Sequence, residues 1–243
     1  MQVRCEVGAI RREVLARSER TKMDPGNDLA FYEIPRLVTH VDDNFLAQVT
    51  QLYRELIPPG GTVLDLCSSH VSHLPPEISY SKVIGHGMNA QELARNPRLD
   101  YFFIRNFNEE PRGWAIQDDS LDAVLCCVSV QYWQQPEAVC AEIVKKLKPG
   151  GVCIITFSNR CFPTKAITAW QMASSGYARV QLVKQYFQAV EGFTTPFSLT
   201  EVPLPNKPAP LSSRLPGFLA PVAKLFERSA SDPFYAVVAY KEK

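Results

Sequence analysis

The sequence predicts an α/β fold, a mostly parallel sheet with helices on both faces. Short strand patterns alternate with helical ones between residues 44 and 157. The run Leu121 to Val130 is apolar almost throughout, as a strand covered on both faces must be. Turn residues such as Pro58-Pro59-Gly60-Gly61 and Lys148-Pro149-Gly150-Gly151 punctuate the crossovers.

Residues 44–57 carry the clearest helical period, with Phe45, Leu46, Val49, Leu52, Tyr53, Leu56 and Ile57 on one face and Asp42 and Asp43 as caps. Thr62 to Leu66 reads as a buried strand, and Lys82 to Gly85 as a second. Asn89 and Glu92 have capping-box spacing and open a brief helix that Pro97 closes. Tyr101 to Arg105 is a third strand and Leu121 to Val130 a fourth. Pro136 suits the first turn of a helix whose inner face is Val139, Ile143, Val144 and Leu147. Val152 to Phe157 makes a fifth strand. Helical sequence then covers roughly 164–190, and strands follow near Phe197–Val202 and Tyr235–Tyr240. A Pro-rich insertion, about 203–233, lies between them, with a helix expected at Pro221–Phe226.

With 243 residues, 46% hydrophobic and 21% charged, the chain fits one domain or one domain plus a tail. A net charge of +1 gives no electrostatic reason to expect nucleic acid or a membrane as partner. No apolar run reaches the ~20 residues that span a bilayer. Seven cysteines form no CxxC pair and no zinc or disulfide framework, so they read as reduced and mostly buried in an intracellular compartment. Residues 1–28 form a basic arm ahead of a domain over 29–243. Glu6, Glu13 and Glu19 oppose an organelle transit peptide, and a helical or disordered arm is preferred. The expected location is cytoplasmic, with a plastid left open.

Val63-Leu64-Asp65-Leu66, Val83-Ile84-Gly85, Gln117 to Val124 and Leu147-Lys148-Pro149-Gly150-Gly151 occur in the order found in class I S-adenosylmethionine (SAM) methyltransferases, and the chain resembles that family in its type 11 form. The phrase from Asp65 to Pro76 also resembles a branch found in plants, algae and cyanobacteria. The resemblance implies a Rossmann-like sheet of seven strands with the last antiparallel. SAM would lie across the carboxyl ends of strands one to four, and a small molecule would accept the methyl group. On the family's positions, Asp65, Cys67, Ser68, Ser69, Met88, Asn89, Asn106 and Val128 would meet the cofactor. Tyr132, Trp133 and Arg160 would meet the substrate.

The sequence departs from the family at this site. The first turn, usually glycine-rich, is Cys67-Ser68-Ser69-His70-Val71, with no glycine. Pro75 and Pro76 leave room for about two turns of the following helix. Gly87 stands where the family places an acid for the ribose hydroxyls, and Asn106 where an aspartate often faces the adenine. These changes keep a second reading open, in which the fold has lost SAM and serves as a binding or scaffold protein. A third reading is an enzyme using another nucleotide-like ligand. Cys67, His70, His73 and His86 suggest a metal, but local hydrogen bonding is the preferred reading and no metal is expected. His70 is the candidate general base, on position alone.

Overall fold

The computed structural model describes residues 6–205 and 231–243. Most of the 203–233 insertion, with its expected helix, lies outside the described residues. The elements are α1 (Asp28–Phe31), α2 (Asp43–Leu56), β1 (Thr62–Leu66), β2 (Lys82–Gly87), α3 (Ala90–Leu93), β3 (Tyr101–Ile104), β4 (Leu121–Cys127), α4 (Pro136–Lys146), β5 (Leu147–Phe157), α5 (Thr168–Met172), α6 (Gly176–Gln188), β6 (Phe197–Leu199) and β7 (Tyr235–Tyr240). They build a seven-stranded sheet in the order β3-β2-β1-β4-β5-β7-β6. Strands β1 to β5 pair in parallel, and β7 lies antiparallel between β5 and β6. This is the expected Rossmann-like plan, with its topological switch point between β1 and β4.

The two-residue period of the strands divides the core into two faces. Leu64, Leu66, Val124, Cys126, Cys153, Ile155 and Phe157 point to one side, where α4, α5 and α6 cover them with Val139, Ile143, Trp170, Val183 and Phe187. Val63, Ala123, Leu125, Val152 and Ile154 point to the other, against Phe45, Val49, Leu52 and Tyr53 of α2. The side chain of Asp42 caps α2 by accepting from Phe45 N.

Several boundaries differ from the sequence expectation, each for a local reason. β4 stops at Cys127 because Val128 turns the chain with a φ of 50°. The Lys148–Gly151 turn is absorbed into β5 as an irregularity, where the β4 register jumps between Leu121 and Ala123 and Gly150 has φ 80°. The expected helix over 164–190 divides into α5 and α6. Ser175 caps the second, and Gly176 sits against the Tyr235 ring, which a Cβ there would meet at 2.1 Å. β6 ends at Leu199, and Val202 N donates instead to Gln48 Oε1 of α2. No helix follows β1: residues 67–81 run irregularly past Pro75 and Pro76, so the two turns expected there do not form.

The arm is neither helical nor loose over residues 6–27. It pairs as isolated bridges at Ile10–Val190 and Lys22–Ile167 and buries Leu15. Its anchor is Glu137 in the first turn of α4, which accepts from the Arg20 guanidinium at 2.9 Å twice and from Val14 N at 2.7 Å. Burial pushes the Glu137 carboxyl up, but Arg20 and the Val14 amide outweigh it and hold it below its ordinary 4.5. The folded state therefore gains from the ionised carboxylate above pH 4.5 and loses that gain as the pH falls through the lowered native value. Glu137→Gln should cost about 1–3 kcal/mol at pH 7 in urea melts. The gap to the parent should narrow on acidification below pH 4.5; an unchanged gap there would show that ionisation plays no part.

Candidate functional site

The cleft opens at the carboxyl ends of the parallel strands, with a volume of about 310 Å³. Each of the five parallel strands delivers a segment to its wall. Cys67, Ser68 and Ser69 follow β1; His86 to Asn89 end β2; Arg105 to Asn108 follow β3; Val128 to Trp133 follow β4; and Arg160 to Phe162 follow β5. Tyr32, Arg36 and His40 complete the wall from the segment between α1 and α2.

His86 organises the floor. It is 2% exposed, and its Nδ1 accepts from Cys67 N at 3.1 Å while Nε2 lies 2.9 Å from the Arg105 carbonyl oxygen. A backbone N–H can only donate and a carbonyl can only accept, so the proton resides on Nε2. The imidazole stacks on Phe107 at 3.8 Å, and Phe107 stacks on Trp114 at 4.7 Å. The loops after β1, β2 and β3 are thus fastened through one side chain.

The glycine-free loop takes its turn at Cys67, with φ 53°, and Ser68 N then donates to the His86 carbonyl at 2.7 Å. This draws the loop onto the end of β2. A Cβ at Gly87 would lie 3.0 Å from the Ser68 carbonyl oxygen and 3.2 Å from Leu93 Cδ1. The loop passes over Gly87 and leaves no room there for the acid that the resemblance would place at this position.

Asp65 is not among the residues lining the cleft. It lies beneath, accepting from the Ser68 hydroxyl at 2.6 Å. Burial raises its carboxyl to about 7, with the Ser68 hydroxyl pulling the other way. Of the adjacent thiols, Cys67 ionises first because the Cys126 S–H donates to it; burial holds Cys126 well above its usual range. Trp133, 3% exposed and part of the wall, adds to the lowering of the Cys67 thiol through its indole N–H.

All the other sequence-predicted cofactor and substrate residues lie in the wall, but several are already engaged. Asn89 donates to the carbonyls of Tyr32 and Glu33 and accepts from Glu92 N, so its amide fastens the wall together. The oxygen of Asn106 accepts from Asn108 N at 3.1 Å. Arg160 pairs through Nε with Asp232 at 2.7 Å. Tyr132 uses its hydroxyl to accept from Phe162 N at 2.8 Å. His70 is outside the lining, beside the Ser69 hydroxyl at 3.2 Å. Among the described residues no group of three or more His, Cys, Asp or Glu is placed to hold a metal.

Glu92 is the acid that sequence reasoning missed. It faces the cleft from α3, 9% exposed, accepting from Ser69 Oγ at 2.7 Å and from Arg36 N at 2.6 Å. Its capping-box spacing from Asn89 was legible, but its direction was not. Tyr32, Arg36 and His40 carried no sequence signal, because the segment that holds them has no regular period.

Residues 84–155 match a protein family described as methyltransferase domain, type 11. None of the curated proteins compared with the chain matches it. Solved structures match over most of both chains. One, described as a methyltransferase in complex with the Haloferax volcanii Trm112 methyltransferase activator, is 16% identical with a TM-score of 0.55, covering 83% of this chain and 91% of its own. A [4+2]-cyclase, SpnF, is 16% identical with a TM-score of 0.54, covering 89% and 90%. A SAM-dependent methyltransferase of Archaeoglobus fulgidus is 15% identical with a TM-score of 0.52, covering 81% and 93%. At these identities the likeness is one of fold. The chain has the fold seen in class I SAM-dependent methyltransferases, and its residues 84–155 match the model of a methyltransferase domain.

Proposed function

We propose that the protein is a SAM-dependent methyltransferase acting on a small molecule in this cleft. The observation that carries the reading is the convergence of all five parallel-strand ends on one concave wall at the switch point, where ligands of open α/β sheets bind. The donor set fits the cofactor despite the rewritten loop. Each Glu92 oxygen keeps a lone pair beyond the bond it already accepts, so the carboxylate can serve ribose hydroxyls in place of the acid missing at Gly87. The Ser68 and Ser69 hydroxyls donate to Asp65 and Glu92 and keep oxygen lone pairs for a ligand, Asn106 offers an amide, and Met88 and Val128 offer apolar surface.

SAM when bound supplies a sulfonium-linked methyl group, an electrophile that an in-line nucleophile accepts. The protein's part is to position the acceptor and exclude water. Tyr132 and Trp133 shape the acceptor half of the wall. Burial pushes the Tyr132 phenol up to about 12, so it holds its proton at neutral pH and is no base. His40 is held below the usual imidazole value, first by burial and then by Arg36 and His70, although Glu92 opposes this. It lines the cleft as a neutral imidazole at pH 7 and is the proton acceptor of this reading, in place of His70.

Three measurements test the reading. Calorimetric titration should give micromolar affinity for SAM and for S-adenosylhomocysteine; no heat and no thermal shift up to millimolar ligand would remove it and leave the scaffold alternative. The Asp65 carboxylate forms only as the pH rises through about 7, and a negative charge under the cleft favours a cationic ligand. Affinity for cationic SAM should therefore rise about 3- to 10-fold between pH 6 and 8. The rise should exceed that for the uncharged-sulfur product, and Asp65→Asn should flatten it; an equal rise for both ligands would contradict the assignment. Gly87→Asp, which reinstates the family's acid, should lower stability by about 1–3 kcal/mol through overpacking against Ser68 and Leu93. Full stability with stronger SAM binding would show that the loop does not cross as described.

A further inference from the structure

Among the described residues, the cleft wall holds one guanidinium with a solvent-shielded donor that has no acceptor. Arg36 enters from the segment between α1 and α2, its backbone N donating to Glu92 Oε1 at 2.6 Å. Its guanidinium carbon stands 4.3 Å from the centre of the Phe31 ring, 5.3 Å from Phe162 and 5.4 Å from Tyr32. Nη2 donates to the Phe31 carbonyl at 3.0 Å. Nη1 is shielded from solvent and has no acceptor. No carboxylate side chain lies within ion-pairing distance of the group among the described residues. The other arginines of the wall are engaged differently: Arg105 donates to the carbonyls of Glu110, Arg112 and Gly113, and Arg160 pairs with Asp232.

A buried donor on a charged group is expensive to leave unmatched, and three rings fix this one in place. Those rings also set its position. Phe162 follows β5 and stacks at 6.1 Å with Tyr132 after β4, so Arg36 reaches the acceptor half of the cleft. The His40 ring lies 5.3 Å from Phe162, at the same mouth.

We infer that Arg36 is the anion-binding residue of the cleft and that the methyl acceptor is a flat small molecule bearing a carboxylate or phosphate. The inference rests on the methyltransferase reading for the word acceptor, but the anion site stands on its own geometry. A planar guanidinium takes a carboxylate or phosphate oxygen with a charge-assisted bond. The aromatic wall of Tyr32, Tyr132 and Phe162 offers faces to the rest of the ligand.

The test uses benzoate and phenyl phosphate as anionic probes, with benzyl alcohol as the neutral control. The parent protein, Arg36→Met and Arg36→Lys are titrated with each, and also with S-adenosylhomocysteine and 5′-methylthioadenosine, which lacks the amino-acid carboxylate. Methionine keeps an apolar stem against Phe31, and lysine keeps the charge, so folding and charge are separated by far-UV circular dichroism and melting. The parent should bind an anionic probe at least tenfold more tightly than benzyl alcohol. Arg36→Met should lose about 10- to 100-fold of that affinity, Arg36→Lys less, with S-adenosylhomocysteine affinity unchanged in both. Equal binding of anionic probes by the parent and a folded Arg36→Met would overturn the site. So would a loss of S-adenosylhomocysteine but not 5′-methylthioadenosine, since Arg36 would then hold the cofactor's own carboxylate. Failure of the parent to bind either nucleoside, with anion binding intact, would count against the methyltransferase reading and leave the anion site standing.

Discussion

One imidazole holds the cleft end of this sheet together. His86 is the only side chain described here that bonds the loop after β1 through Cys67 N and the loop after β3 through the Arg105 carbonyl, while its own carbonyl takes Ser68 N. Both ring nitrogens are used, and the ring is held flat against Phe107, itself flat against Trp114. Buried polar atoms with both partners in place specify a conformation strongly, because any alternative leaves one of them unmatched. The path of the glycine-free loop and its crossing over Gly87 follow from that attachment. In the usual arrangement glycines let the loop approach the ligand. Here a positive φ at Cys67 and a glycine on the neighbouring strand do the accommodating.

The same attachment displaces the acid. With no room for a side chain at residue 87, the carboxylate of this region comes from Glu92, one turn into α3. Glu92 is bonded to the loop through Ser69 and to the segment between α1 and α2 through Arg36, and Asn89 ties that segment again through Tyr32 and Glu33. The segment between α1 and α2 is therefore part of the cleft wall. Its anchor lies farther back, where Arg20 and Glu137 fix the arm to α4.

The fold was legible because its strands obey a period of two between turn residues, and because Asp42, Asn89 and Pro136 mark helix starts that the structure uses. Boundaries failed where a single backbone or packing event intervened, as at Val128, at Gly176 under Tyr235, and at Val202, which bonds to Gln48. The strand-end segments of the cleft were legible from the order of the motifs. What each side chain does there was not. Asn89, Arg160 and Tyr132 have partners contributed by residues 32, 232 and 162, and no local pattern announces a partner so distant in sequence. Arg36 and His40 were invisible for a related reason, since an irregular segment has no period from which to read a face.

The attachment through His86 has a spectroscopic signature. Long-range ¹H–¹⁵N correlation of the histidine rings, recorded where the imidazoles are neutral and assigned with His86→Gln, reports which nitrogen carries the proton. The account predicts the Nε2–H tautomer for His86, with Nδ1 accepting from Cys67 N. An Nδ1–H tautomer would contradict it, because that nitrogen could not then receive the amide that sets the path of the loop.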